Sequence, residues 1–229
     1  MVQVNQSKLI LRFRFKKLGS LQYISHLDLV RTMHKVIVRA KLPLWYTEGF
    51  NPKPKMVFAV PLSIGTESVC EFMDLRMSEY IDPSEAMARI NANMTEEMQV
   101  IEAYYPETKF TDLKWMSYRM TINTANLSDE LVDKCNSLFN SDSIEVPKKN
   151  SEQTMNIKPL IKNAVAERVE NSLVVNATLS ADPSAFLNPE YLIKALRECC
   201  AILSSPDLTA EGYEILRLKA FCQDMKEFR

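Results

Sequence analysis

The sequence predicts an α+β protein of two tandem modules, each an antiparallel sheet carrying helices. Three observations lead there. Residues 8–16 alternate, with Leu9, Leu11, Phe13 and Phe15 on one face and Arg12, Arg14 and Lys16 on the other. That is the period of a half-buried strand. Helix-start signals at Ser25 and at Asp82-Pro83-Ser84-Glu85 then divide the first half of the chain. Finally, a similar order of strands and helices recurs after the stretch Pro106–Leu113, which reads as a linker. The order β-α-β-β-α-β is the split-βαβ, or ferredoxin-like, arrangement. The expected modules are residues 1–106 and 114–229.

Each element has its own reason. After the first strand, Gly19-Ser20 makes a turn, and Ser25 caps a helix with Asp28 three residues on, a variant of the capping box. Val30, Met33 and Ile37, with Leu29, Val36 and Ala40, give that helix a broad apolar face. Pro43 stops it, and an extended segment passes through Trp45 and Tyr46 into the loop Glu48-Gly49-Phe50-Asn51-Pro52. Met56–Val60 reads as a buried strand, Ser68–Met77 as the next, and Met98–Tyr104 as the last of the first module. Ala86, Met87 and Ile90 turn the intervening helix inward.

In the second module, Trp115–Thr124 alternates Met116, Tyr118, Met120 and Ile122 against polar neighbours. Ser128 caps a helix whose Leu131, Cys135, Leu138 and Phe139 share a face. Ile144–Val146 and Met155–Ile161 read as short strands around the polar loop Pro147–Thr154, and Leu173–Leu179 as another strand. Asn188-Pro189-Glu190 starts the last helix, with Leu192, Leu196, Cys199, Cys200 and Leu203 as its core stripe. Tyr213–Phe221 closes the module.

Composition narrows the function. With 229 residues, 46% apolar and 25% charged, the chain reads as a soluble globular protein. No apolar run approaches the ~20 residues of a membrane span, and residues 1–25 lack a signal-peptide pattern. Five scattered cysteines point to a reduced, cytoplasmic protein. They show neither C-x-x-C nor the C-x3-C-x-x-C spacing that holds a radical SAM cluster. Four glycines supply no Walker loop and no Rossmann G-x-G-x-x-G. No metal and no cofactor is expected. The net charge of −1 conceals an asymmetry. Residues 1–60 carry 11 Lys/Arg against Asp28 and Glu48, hence +9, while the remainder carries 17 against 27, hence −10. A basic first segment suggests a phosphate-bearing partner; attraction between the two halves is the plainer alternative.

The residues that carry chemistry crowd between Gly19 and Glu71, which hold both histidines and three of the four glycines. His26 falls at a helix N-terminus, where free N–H groups favour anions and a neutral imidazole suits acid–base or ligand-binding work. The alternative is a histidine that only hydrogen-bonds a loop. His34, eight residues on, is rotated about 80° away, so the pair does not converge on a metal. Prolines hold Lys53 and Lys55 extended, which suits contact with phosphate. Phe50 stacks on a base or, as the favoured reading, plugs the core. Arg12, Arg14 and Lys16 on an open sheet face suit single-stranded RNA, although that face lacks aromatics. His26, Asp28, Glu48 and Asn51 are expected to meet in one accessible cleft.

These residues also carry a resemblance. Ser25-His26-Leu27-Asp28-Leu29 with Arg31, Arg39-Ala40 with Leu42-Pro43, and Glu48-Gly49-Phe50-Asn51-Pro52 with Pro54-Lys55 resemble one bacterial family. So do Phe58-Ala59, Pro61-Leu62 with Gly65, Glu67-Ser68, and Glu71 with Asp74. It is the radical-SAM-linked family of unknown-function domains, fused to or encoded beside radical SAM proteins. Ile157-Lys158-Pro159 with Ile161, and Pro189-Glu190 with Leu192, look like its weaker C-terminal signals. Where that family carries a histidine between the two prolines, this chain has Lys53, which disfavours a metal and keeps an anion-binding role.

The resemblance implies an accessory module that recognises a substrate, RNA or another anion, for a separate radical SAM protein, with no membrane role. Ser25, His26, Asp28, Arg31, Glu48, Phe50, Asn51, Lys53, Lys55 and Glu67 are the candidate ligand-binding residues, and His26 is the one catalytic candidate. Two rival readings remain: a metal-independent RNA-processing enzyme that uses His26, and a protein–protein scaffold.

Overall fold

The computed structural model describes residues 9–148, 153–206 and 209–229. Part of the loop Pro147–Thr154 therefore lies outside the described residues. The chain is a mixed α/β protein with mostly antiparallel strands and, among the described residues, four α-helices. It forms two compact units, one through Phe110 and one from Thr111 to Phe228.

The first unit runs β1 (Ile10–Lys17), α1 (His26–Arg39), β2 (Met56–Phe58), β3 (Thr66–Arg76), α2 (Pro83–Asn91) and β4 (Val100–Tyr104). β1 pairs antiparallel with both β3 and β4, and β2 pairs antiparallel with β3. The order within this unit is thus β4-β1-β3-β2. One face of the sheet, with Leu11, Phe13, Phe15, Met73 and Leu75, packs on Leu29, Met33, Val36 and Ile37 of α1 and on Ala86 and Ile90 of α2. Each helix starts as its sequence dictates. The Ser25 hydroxyl accepts from the Asp28 N–H, and the Asp82 carboxylate accepts from the N–H groups of Ser84 and Glu85.

Two expectations are corrected here. The run Met56–Val60 is not a buried strand: β2 is three residues long and Val57 is exposed. Its apolar run continues into bends instead of a ladder. The basic face of β1 is not open either. Arg12 is 1% exposed and bidentate to Asp74 at 2.7 and 2.9 Å, and Arg14 reaches Glu102 at 3.2 Å. Alternation assigns a residue to a face, but it cannot say what later segment covers that face.

The second unit runs β5 (Trp115–Asn123), α3 (Asp129–Phe139), β6 (Glu145–Pro147), β7 (Thr154–Asn156), β8 (Ile161–Val169), β9 (Ser172–Ser180), α4 (Glu190–Cys200) and β10 (Gly212–Phe221). Its main sheet has the order β10-β5-β9-β8, all antiparallel, and β6 pairs with β7. Met116, Tyr118, Met120 and Ile122 are buried as the alternation requires. β8 escaped the sequence reading because it is mostly exposed: polar Lys162, Asn163, Glu167 and Arg168 dilute its pattern. α4 is shorter than its apolar stripe suggests. It stops at Cys200 because Ala201 turns left-handed at φ 59°, which leaves Leu203 outside the helix, while Cys199 within it falls on the exposed face beside Arg197 and Glu198.

Candidate functional site

The motif residues occupy two local structures of the first unit. The first is the entrance of α1. Ser25 is extended at φ −68° and ψ 159°, and its hydroxyl donates to Asp28 Oδ2 at 2.7 Å while accepting from the Asp28 N–H at 3.2 Å. Arg31 Nη1 lies 3.4 Å from Asp28 Oδ1, with both side chains more than half exposed. Such a pair contributes little to stability, about 0–1 kcal/mol. Asp28 therefore completes a cap whatever else it does. His26, the first helical residue, is exposed and meets the ring of Phe58 edge-on, 5.5 Å between centroids at 83°. His34 is half-buried further along α1.

The second structure is a hairpin. Thr47 N–H donates to Lys53 O at 2.9 Å, Lys53 N–H to Thr47 Oγ1 at 3.1 Å, and Lys55 N–H to Trp45 O at 3.3 Å. These bonds zip Trp45–Thr47 against Lys53–Lys55 and push Glu48–Pro52 out as the tip. Gly49 sits there at φ 122°, a backbone shape that only glycine adopts easily. Phe50 does not plug the core. It is exposed to 113% of its reference area, because the tip turns away from a core already filled by Phe13 and Phe15. Glu48, Asn51, Lys53 and Lys55 are exposed as well.

Glu67 is engaged elsewhere. Its carboxylate accepts from the Gly19 N–H at 2.6 Å, bracing the turn after β1. Glycine suits position 19, where φ is 58° and a Cβ would require the exposed Glu97 side chain to move aside. The contacts of His26 and Asp28 are thus with Phe58, Ser25 and Arg31, whereas Glu48 and Asn51 stand at the hairpin tip. Among the described residues no group of three or more His, Cys, Asp and Glu side chains could hold a metal ion. None of the helices described is long and apolar enough to cross a membrane.

The sequence reading missed a groove of about 660 Å³ on the sheet face opposite the helices. Register explains its floor. Ile10 pairs with Arg76, whose N–H donates to Lys55 O, and in the next row Arg12 and Val57 both pair with Asp74. The residues between, Leu11, Leu75 and Met56, point to the helices instead. One wall is the stacked pair Tyr80 and Tyr105, 5.3 Å apart at 18°. The other is the segment Pro106–Phe110, fastened by Arg12, which donates to Thr108 Oγ1 and Thr108 O and lies 4.4 Å from the Phe110 ring. Burial raises the pKa of Asp74, and hydrogen bonding and charge from Arg12 pull it back. Burial also raises that of Tyr105, whose hydroxyl donates to Ile81 O. Of the ten candidate residues only Lys55 lines this groove. The stretch read as a linker supplies Pro106–Phe110 of the wall, with Phe110 its one aromatic.

Comparison with known proteins closes the description. No curated protein matches the chain. Among solved structures, a chain of a Cbf5-Nop10-Gar1 complex superposes with a TM-score of 0.50 at 10% identity. The match covers 93% of this chain and 49% of that one, so this protein spans about half its length, and the likeness is one of fold. Residues 11–189 match the family described as "Uncharacterized protein conserved in bacteria (DUF2344)", and the chain belongs to that family.

Proposed function

We propose that this chain is a substrate-recognition module that binds RNA, or another phosphate-bearing partner, for a separate radical SAM enzyme in the cytoplasm. The observation that carries the reading is the exposure of the motif. His26, Asp28, Arg31, Glu48, Phe50, Asn51, Lys53 and Lys55 all face solvent, where a purely structural signature would be buried. Phe50 offers a stacking ring, and Lys53 and Lys55 flank it on the returning strand of the hairpin. The +9 balance of residues 1–60 supports the same reading, reduced by the ion pairs that occupy Arg12 and Arg14. The lack of C-x3-C-x-x-C spacing supports a separate partner to hold the cluster.

On this reading the chain consists of two ferredoxin-like modules, residues 1–106 and 114–229. The orders β4-β1-β3-β2 and β10-β5-β9-β8 support it, since a strand, a helix, two strands, a helix and a strand interleave alike in both. The second carries β6 and β7 as an insertion.

The test is binding of labelled single-stranded RNA over a range of salt. Lys53→Glu with Lys55→Glu should weaken binding, and each lost phosphate contact should lower the log–log salt slope by about 0.7. Unchanged affinity and slope would remove the anion-binding role. Co-purification of tagged protein from its native cells should recover a radical SAM protein; its absence after crosslinking would remove that half of the reading.

A further inference from the structure

We infer that the groove behind the first sheet is a binding site for a single nucleotide, seated by its base against the tyrosine pair. This deepens the reading of the chain as an anion-binding module, and it places recognition on a surface that the motif reaches only through Lys55.

Three features carry the inference. First, the cavity is large enough for such a ligand. Its volume of about 660 Å³ lies within the range of ordinary small-molecule sites. Second, its walls are flat and aromatic. Tyr80 is exposed and stacked on Tyr105, so one ring face of the pair is held in position by its neighbour. Phe110 is held on the opposite wall by the Arg12 guanidinium. Planar rings fixed in this way suit a planar ligand ring, because stacking then costs little side-chain entropy.

Third, cations line the groove, Arg76 among them with its guanidinium 4.0 Å from the Trp45 ring. Arg12 and Asp74 neutralise each other at the floor. Of the remaining charged residues that line the groove, Lys55, Arg76 and Lys109 outnumber Glu107. The Lys55–Arg76 row runs beside the apolar positions Leu9, Ile10 and Val57. A ring against the apolar and aromatic surfaces therefore lies beside cations that attract a phosphate. An uncharged ring gains nothing from the cationic lining, and a bare phosphate leaves the aromatic walls bare. An aromatic nucleoside phosphate uses both.

The same chemistry comes from a free ribonucleotide or from one unit of single-stranded RNA, and the experiment separates them. The full chain is titrated calorimetrically with each common ribonucleoside monophosphate, with ribose phosphate, with the nucleosides, and with a short mixed-sequence RNA. Nucleoside monophosphates should bind more tightly than either the nucleosides or ribose phosphate. Tyr80→Ala should weaken binding at least about fivefold, as loss of one stacked base does, and Tyr80→Phe should restore it. Lys109→Glu should weaken the phosphorylated ligands and leave the nucleosides unchanged. Tyr80 and Lys109 are surface positions, so unchanged melting of each variant checks that the fold survives.

RNA binding that depends on Tyr80, without monophosphate binding, assigns the site to a polymer unit. Monophosphate binding without RNA binding assigns it to a free nucleotide, and the RNA reading of the motif then fails while the groove stands. RNA binding that responds to Lys53→Glu but not to Tyr80→Ala overturns the groove and spares the motif. No binding by any of these probes, or binding indifferent to both Tyr80 and Lys109, overturns the inference.

Discussion

Both units carry a hairpin between their first helix and the strand that follows, and the two hairpins have opposite fates. In the second unit Ile144, Val146 and Ile157 are buried, Ile157 N–H donates to Ile144 O at 2.9 Å, and Lys194 Nζ donates to Pro147 O at 3.0 Å. The base of that hairpin belongs to the core. In the first unit the bonds between Trp45–Thr47 and Lys53–Lys55 hold the hairpin, but its tip carries Phe50 into solvent. The position of the apolar residues decides between the two. Those of the second hairpin fall on its paired strand, at Val146, or at the base joined by the Ile157–Ile144 hydrogen bond, where the ladder directs them to one face. Phe50 falls on the turn, where no pleat directs it inward.

A second contrast concerns two ion pairs. Arg12–Asp74 in the first unit is nearly dry, and burial raises the Asp74 pKa despite its partner. Lys114–Asp182 in the second is partly exposed, and the Lys114 hydrogen bond, then those from Ser184, hold the Asp182 carboxyl well below its usual range. Where water is excluded desolvation outweighs attraction, and where it is not the hydrogen bonds prevail.

The largest predicted effect tests the dry pair. Arg12→Leu leaves a buried carboxylate unpaired and removes the two hydrogen bonds from Arg12 to Thr108, and should cost about 3–5 kcal/mol at neutral pH by denaturant titration. Without its partner the folded-state pKa of Asp74 rises further above the unfolded value. The penalty is therefore full above the folded pKa and vanishes as pH falls below the unfolded one. Adding Asp74→Leu should recover much of the loss. Equal losses at acid and neutral pH would show that Thr108, not charge, holds the segment.

Next comes the hairpin comparison itself. Ile157→Ala should cost about 2–5 kcal/mol, as buried isoleucine truncations do. Phe50→Ala should stay within about 0.5 kcal/mol while weakening RNA binding. If Phe50→Ala destabilises the protein as much as Ile157→Ala, the two hairpins are alike and the contrast dissolves.

Smaller still are the helix caps, where the units should behave alike. Ser25→Ala and Ser128→Ala should each cost about 1 kcal/mol, since each hydroxyl accepts one N–H of the first turn. A larger loss of ligand binding in Ser25→Ala alone would mark the entrance of α1 as functional.

The smallest effect is one of pH. Asp182 has a folded-state pKa below the unfolded one, so its stabilisation is present above the unfolded value and lost as pH falls through the folded value. Asp182→Asn should melt below the unaltered protein at neutral pH, and the gap should close on acidification. A gap constant with pH would assign the effect to the lost turn at Ser184 instead.

Local sequence determined the elements whose cause is local. Alternation in β1 and β5, the caps at Ser25, Asp82 and Ser128, the start at Asn188-Pro189-Glu190 and the stop at Pro43 each depend on residues a few positions apart, and all four helices could be read from them. The loop at Glu48–Lys55 and the cap role of Asp28 were legible for the same reason. What the tertiary structure decided is what covers what. Arg12 reads as an open basic residue until Asp74 and Thr108, far along the chain, close over it. Phe50 reads as core until the paired strands below it aim the tip outward. β8 goes unread until β9 accepts its polar edge. The groove is of the same kind: its floor comes from three strands and its walls from segments beyond them, a juxtaposition that no window of sequence contains.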